Sequence, residues 1–290
     1  MLAAPTDAAW IEDLYLKKQA IAARFPAGRV ILVGGSATLY GFSAETLSTA
    51  LNQPVINLGV HAGLGAPYIL ERAKHFLKPG DTVLLVLEHT IITPPWPSVI
   101  TARYVQFFDQ SYILEAPVSV WDKLVFGVTL HDVFRAWVFR RIAGDFFEPI
   151  NAYGDATNNL AAARTPYQRD TVAAAAPFIP APVSPLNSPP HLADFSQWAR
   201  ANDVKAYMVW PPLLQKAAYK TPRYQVFFAN LEHLFANLGI PILGSQTDFF
   251  LEEEDMFDTI YHPNEIGRQK VTATLLKKLL QEDPLLGRRS

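Results

Sequence analysis

Arg29-Val30-Ile31-Leu32-Val33-Gly34-Gly35-Ser36-Ala37-Thr38-Leu39-Tyr40-Gly41 is the stretch on which the reading of the whole chain turns. Val30 to Val33 are apolar without alternation, the pattern of a strand buried on both faces of a parallel sheet. Gly34 and Gly35 permit the sharp turn such a strand needs before a helix. Ser36 then stands at the carboxyl end of the first strand, where open α/β sheets place their ligands, and is the leading candidate for a nucleophile.

Upstream, Ile11, Leu14, Tyr15, Ile21 and Ala22 recur at helical spacings with Glu12, Asp13, Lys17 and Lys18 between them, which predicts an amphipathic helix over 9–24. Downstream, a helix over 43–52 leads to a second strand, Val55-Ile56-Asn57-Leu58-Gly59, and to a glycine-rich turn carrying Gly59, Gly63 and Gly65. A helix over 66–77 stops at Lys78-Pro79-Gly80-Asp81, and Thr82 to Leu87 reads as a third buried strand closing on Glu88-His89-Thr90. Three strand–helix repeats in succession predict a parallel, doubly wound sheet.

From Ile91 to about 190 the chain is aromatic-rich and punctuated by proline, with helices expected within Val118 to Ala143. Thr165 to Pro190 holds an alanine run and seven prolines and reads as an extended connection. The rhythm resumes with a helix over 191–202, a strand Lys205 to Trp210, a helix over 223–238 and a short fifth strand, Gly239 to Leu243. An acidic stretch, Glu252 to Asp255, precedes Asp258-Thr259-Ile260-Tyr261-His262-Pro263-Asn264 and a final helix over 264–282. The expectation is one α/β domain over 1–290 built on a five-stranded parallel sheet of flavodoxin-like type. Residues 91–190 form a helical, proline-rich insertion within it, either plain packing or a lid that shapes a substrate site.

Half of the 290 residues are hydrophobic and 18% are charged, enough for a sizeable core. The net charge is −2, the pI is near 6.4, and no basic run is longer than a pair such as the terminal Arg288-Arg289, which argues against nucleic acid as a partner. With no cysteine, disulfides, thiolate metal sites and a Cys nucleophile are excluded, while the compartment stays open. Met1 to Trp10 shows no charged-then-apolar leader, and no apolar span approaches the roughly 20 residues that cross a bilayer, so a soluble protein without an export signal is expected as written.

In a parallel sheet the segments after each strand gather at one edge, so Ser36, Gly59, Glu88-His89 and the 258–262 loop can meet although far apart in sequence. A serine hydroxyl needs a base oriented by a third group; His262 can be that base and Asp258 its orienter, with Asp255 in reserve. The Ser36 and Gly59 amides suit an oxyanion hole, where each donor is worth roughly 2.7–4 kcal/mol. Asn57 reads as a brace for its turn, and His61, Glu88 and His89 as structural hydrogen-bonders or substrate contacts. His61, Glu88, His89 and His262 lack a recognisable ligand spacing, and Gly34-Gly35-Ser36 does not fit a dinucleotide turn, so neither metal nor cofactor is expected.

Together these residues resemble the SGNH (GDSL-like) hydrolase superfamily over about 29–90 and 190–282. Gly34-Gly35-Ser36 matches its nucleophile block with glycine in place of the usual aspartate, Asn57-Leu58-Gly59 followed by Gly63 matches the second block, and Asp258 and His262 match the last. The Gly-x-Asn-Asp block is absent: the equivalent strand end reads Leu87-Glu88-His89-Thr90, and the aspartate lies four residues before the histidine instead of three. Both traits resemble the divergent branch that includes bacterial exopolysaccharide O-acetylation proteins. That resemblance implies a Ser-His-Asp esterase or O-acetyltransferase acting on an acylated carbohydrate or small ester in the periplasm or cell envelope, with a membrane-associated acetylation or export complex as partner. It leaves open a second class, a non-catalytic SGNH-like module that binds polysaccharide or a partner, and it leaves the oligomeric state open.

Overall fold

The computed structural model describes residues 6–286 apart from 94, 95, 128, 130–133, 135–137, 139–147 and 185. A helix, α1 (Thr6–Ala23), leads into β1 (Val30–Gly34), α2 (Ser36–Gly41), α3 (Ala44–Leu51), β2 (Val55–Asn57), α4 (Gly65–Lys74) and β3 (Thr82–Val86). The 91–190 stretch follows, with α5 (Val99–Phe108) and α6 (Pro166–Ala174) among its helices. Then come α7 (Pro190–Ala201), β4 (Lys205–Val209), α8 (Pro222–Asn237), β5 (Ile242–Leu243), β6 (Met256–Thr259), β7 (His262–Pro263) and α9 (Glu265–Glu282).

The central sheet has the order β2-β1-β3-β4-β5 and every pairing in it is parallel. This is the doubly wound order in which the chain reverses direction between β1 and β3, so a crevice opens at their carboxyl ends. β1 and β3 are apolar at every position but their ends and wholly buried, as strands covered by helices on both faces must be. At the opposite edge the buried Arg29 guanidinium donates to Asp81 and to the carbonyls of Ala22 and Phe76, tying α1, β1 and the turn before β3 together. The expected α/β flavodoxin-like sheet is therefore present. Among the described residues no helix is long and apolar enough to cross a membrane.

Two elements depart from their expected form, and a third is described only in part. The 165–190 stretch is not extended throughout: Pro166 occupies the first turn of α6, where its missing N–H costs nothing, and Thr165 with Gln168 closes a capping box. Within 118–143, a single 3-10 turn at Val118–Val120 and a short helix at Trp121–Phe126 are described, and most of the remainder lies outside the described residues. The 258–264 stretch is a hairpin, β6 paired antiparallel with β7, with Thr259 opposite His262.

Candidate active site

The turn after β1 is built around a carboxylate. Glu88, buried at the end of β3, accepts from the Ala37 amide (2.8 Å) and also from the Gly35 amide, so it caps the first turn of α2. A Cβ on Gly35 would lie 2.5 Å from Glu88 Oε1 and 2.7 Å from Ala62 Cα, so the position requires glycine. Burial pushes the Glu88 carboxyl up, while these amides and the nearby His262 pull it back. Glu88 is thus a brace beneath the serine turn, the structural of its two expected roles, with its carboxylate shielded from solvent. Ser36 itself is partly exposed at the first position of α2.

The second turn is held by Asn57. Its Nδ2 donates to Thr38 O (2.9 Å) and Asp155 Oδ1 (3.1 Å), and its Oδ1 accepts from the Gly59 amide (2.9 Å). Gly59 presses against α2, where a Cβ would lie 2.5 Å from Thr38 Cβ, and its amide is already engaged, so it would have to leave Asn57 to serve an oxyanion. His61 caps the following 3-10 turn by accepting from the Gly63 amide (2.9 Å) and stands edge-on to Trp10. Ala62 opens that turn, and its amide has no hydrogen-bond partner among the described residues, as expected of a first-turn N–H. Sequence reading passed over Ala62; its signal was the position, one turn past Gly59, more than the residue type.

Asp258 and His262 lie on opposite strands of the β6–β7 hairpin, and His262 Nδ1 is 2.8 Å from Asp258 Oδ1. The side chain of His262 is 16% exposed. β7 packs on α2. There the ring of Tyr40, four residues and one turn beyond Ser36, lies over the imidazole with centroids 4.6 Å apart. Asp255, the reserve orienter, is elsewhere: buried, it accepts twice from Lys270 (2.7 Å each) and takes no part in the pair.

His89, in the turn that follows β3, lies in surroundings different from those of Glu88. Its ring stacks on Phe178 (4.5 Å, 2°) among Trp210, Phe227 and Phe228, and burial pulls its imidazole down to about 3. Its Nδ1 lies 3.1 Å from the hydroxyl of Tyr261, the residue before His262, which fixes the tip of the hairpin. His61, Glu88, His89 and His262 do not converge on one point, and no group of three metal-ligating side chains occurs among the described residues.

The feature sequence reading did not find is the return of the long 91–190 stretch to this edge. Residues 148–163 thread between the blocks: Tyr153 O accepts from the Asn57 amide (2.9 Å), Asp155 takes the Ala44 amide (2.9 Å), and Asn159 donates to Pro263 O (2.7 Å). Gly154 has φ +90°, and a Cβ there would lie 2.4 Å from Asn57 O. Glu148, 2% exposed, accepts from the Tyr40 hydroxyl at 2.7 Å and lies close enough to His262 and Asp258 to feel their charges.

No family model matches the chain, and no curated protein matches its sequence. Among solved structures it is similar to a protein of Streptococcus pneumonia described as a candidate platelet activating factor. The two share 11% identity and a TM-score of 0.42, over 94% of this chain and 92% of that one.

Proposed function

We propose that this chain is a serine esterase or O-acyltransferase that works through an acyl-enzyme. The observation that carries the reading is the His262–Asp258 pair at 2.8 Å, on a hairpin packed against the helix that Ser36 begins. Asp258 accepts the Nδ1 proton and leaves Nε2 free as the base. As Nε2 takes the Ser36 Oγ proton, Oγ attacks the ester carbonyl, and the tetrahedral oxyanion is met by the first-turn amides of Ser36 and Ala62. His262 returns the proton to the departing alcohol. Water, or a sugar hydroxyl, then attacks the acyl-serine by the same route in reverse, and the choice of acceptor separates hydrolysis from transfer.

The resemblance to exopolysaccharide O-acetylation proteins carries the finer part of the proposal: acetyl as the acyl group, a carbohydrate as the substrate, and an envelope setting. Labelling by a fluorophosphonate together with p-nitrophenyl acetate turnover is the test. Both are expected in the parent chain and lost in Ser36→Ala and His262→Ala, and full turnover in Ser36→Ala overturns the reading. A second reading, a non-catalytic glycan- or partner-binding module, is favoured by one observation, the engagement of the Gly59 amide by Asn57. An intact fold with glycan binding and no labelling of Ser36 would establish it instead.

A further inference from the structure

The 91–190 stretch does more than cover the sheet edge, because it returns a carboxylate to the histidine. Glu148 is buried and accepts from the Tyr40 hydroxyl, and the Tyr40 ring lies against His262. Tyr40 is doubly fixed, since Arg268 Nε donates to its carbonyl (2.8 Å) and Arg268 Nη2 to Asn159 of the same returning segment. Among the described residues, the titratable groups facing the imidazole are Asp258 on its own hairpin, Tyr40 on α2, Glu88 after β3 and Glu148, with Arg164 beside Asp258. Three are carboxyls, but their geometry differs. Asp258 bonds the imidazole directly, Glu88 is turned under α2, and Glu148 reaches the ring through Tyr40.

We propose that Glu148 is a positioning residue of the Ser36–His262–Asp258 site: through Tyr40 it holds the face of the His262 ring, and its charge favours the imidazolium that forms when Ser36 loses its proton. This rests on the esterase reading above. Burial pushes the Glu148 carboxyl up, while donation from Tyr40 and Asn158 and the nearby His262 draw it back towards the charged form, and Asp258 opposes them. Burial is the largest of these influences and the net direction is upward, so the two donors and the imidazole are what oppose neutralisation of a buried carboxyl.

The test is Glu148→Gln, which keeps an acceptor for the Tyr40 hydroxyl and removes the charge. The acid limb of kcat/KM against pH for p-nitrophenyl acetate is expected to move to lower pH by about one unit, the size of effect an adjacent opposite charge produces. The His262 ring resonances, followed by NMR against pH, are expected to move the same way, and they do so whether or not the protein turns over an ester. Failure of the proposal is therefore separate from failure of the esterase reading, which the fluorophosphonate decides. Tyr40→Phe leaves the ring in place and strips Glu148 of a donor, so it should shift His262 in the same direction by less. A folded Glu148→Gln or Tyr40→Phe protein with the parent's His262 titration overturns the proposal.

Discussion

The buried imidazole of His89 makes the molecule sensitive to acid, and burial pulls His191 down in the same direction. His89 in the fold is pulled down to about 3 by burial in its aromatic box, whereas a free histidine titrates near 6.5. Between those values the unfolded chain binds a proton that the folded chain refuses, so stability falls as pH drops through that window, by up to about 1.4 kcal/mol per pH unit. His89→Phe fills the same box without the proton. Urea midpoints measured from pH 7 to 4.5 should therefore fall less steeply in the variant, and parallel slopes would show that His89 does not carry the effect. Chain order placed Glu88 and His89 together at the end of β3, and it could not assign their roles. Those depend on which side each faces, one under α2 and the other among Phe178, Trp210 and Phe228, and both surroundings come from distant segments.

At the scale of the element, α1 was legible as an amphipathic helix, yet one of its polar positions is misleading. Lys18 reads as solvent-facing beside Lys17, but it is fully buried and its ammonium donates to Asn57 O and Gly154 O, both at 2.7 Å. Burial pulls it down to about 7. The helix period alone cannot foresee this, because the second carbonyl belongs to the returning segment. Lys18→Met would leave two buried carbonyls without a donor, at a cost of about 2–4 kcal/mol. Thermal or urea unfolding should register that loss, and an unchanged midpoint would mean that water replaces the ammonium. The strands were the most legible elements, since Val30–Val33 and Val83–Val86 are apolar throughout and only a two-sided burial explains that. The α6 proline misled because proline both breaks helices and begins them, and only the Thr165 cap distinguishes the two uses.

For the whole molecule, the parallel sheet was readable because the order of strands dictates where their ends meet, and the β6–β7 hairpin packs on α2 at that edge. The role of 148–163 was not readable, since each of its anchors lies far off in sequence. This has a consequence for the order in which the molecule forms. Asn57 and Leu58 are neighbours, yet the Asn57 amide donates to Tyr153 O and the Leu58 amide to Leu32 O. The first bond closes a loop of 96 positions and the second one of 26, a difference worth about 1 kcal/mol in chain entropy before either contact is rewarded. Two adjacent amides thus act as separate clocks, one timing the sheet and the other the docking of the returning segment. Pulsed hydrogen exchange during refolding should protect Leu58 before Asn57. Simultaneous protection would mean that the segment condenses with the sheet, and that the serine turn is never present without Glu148 beside its histidine.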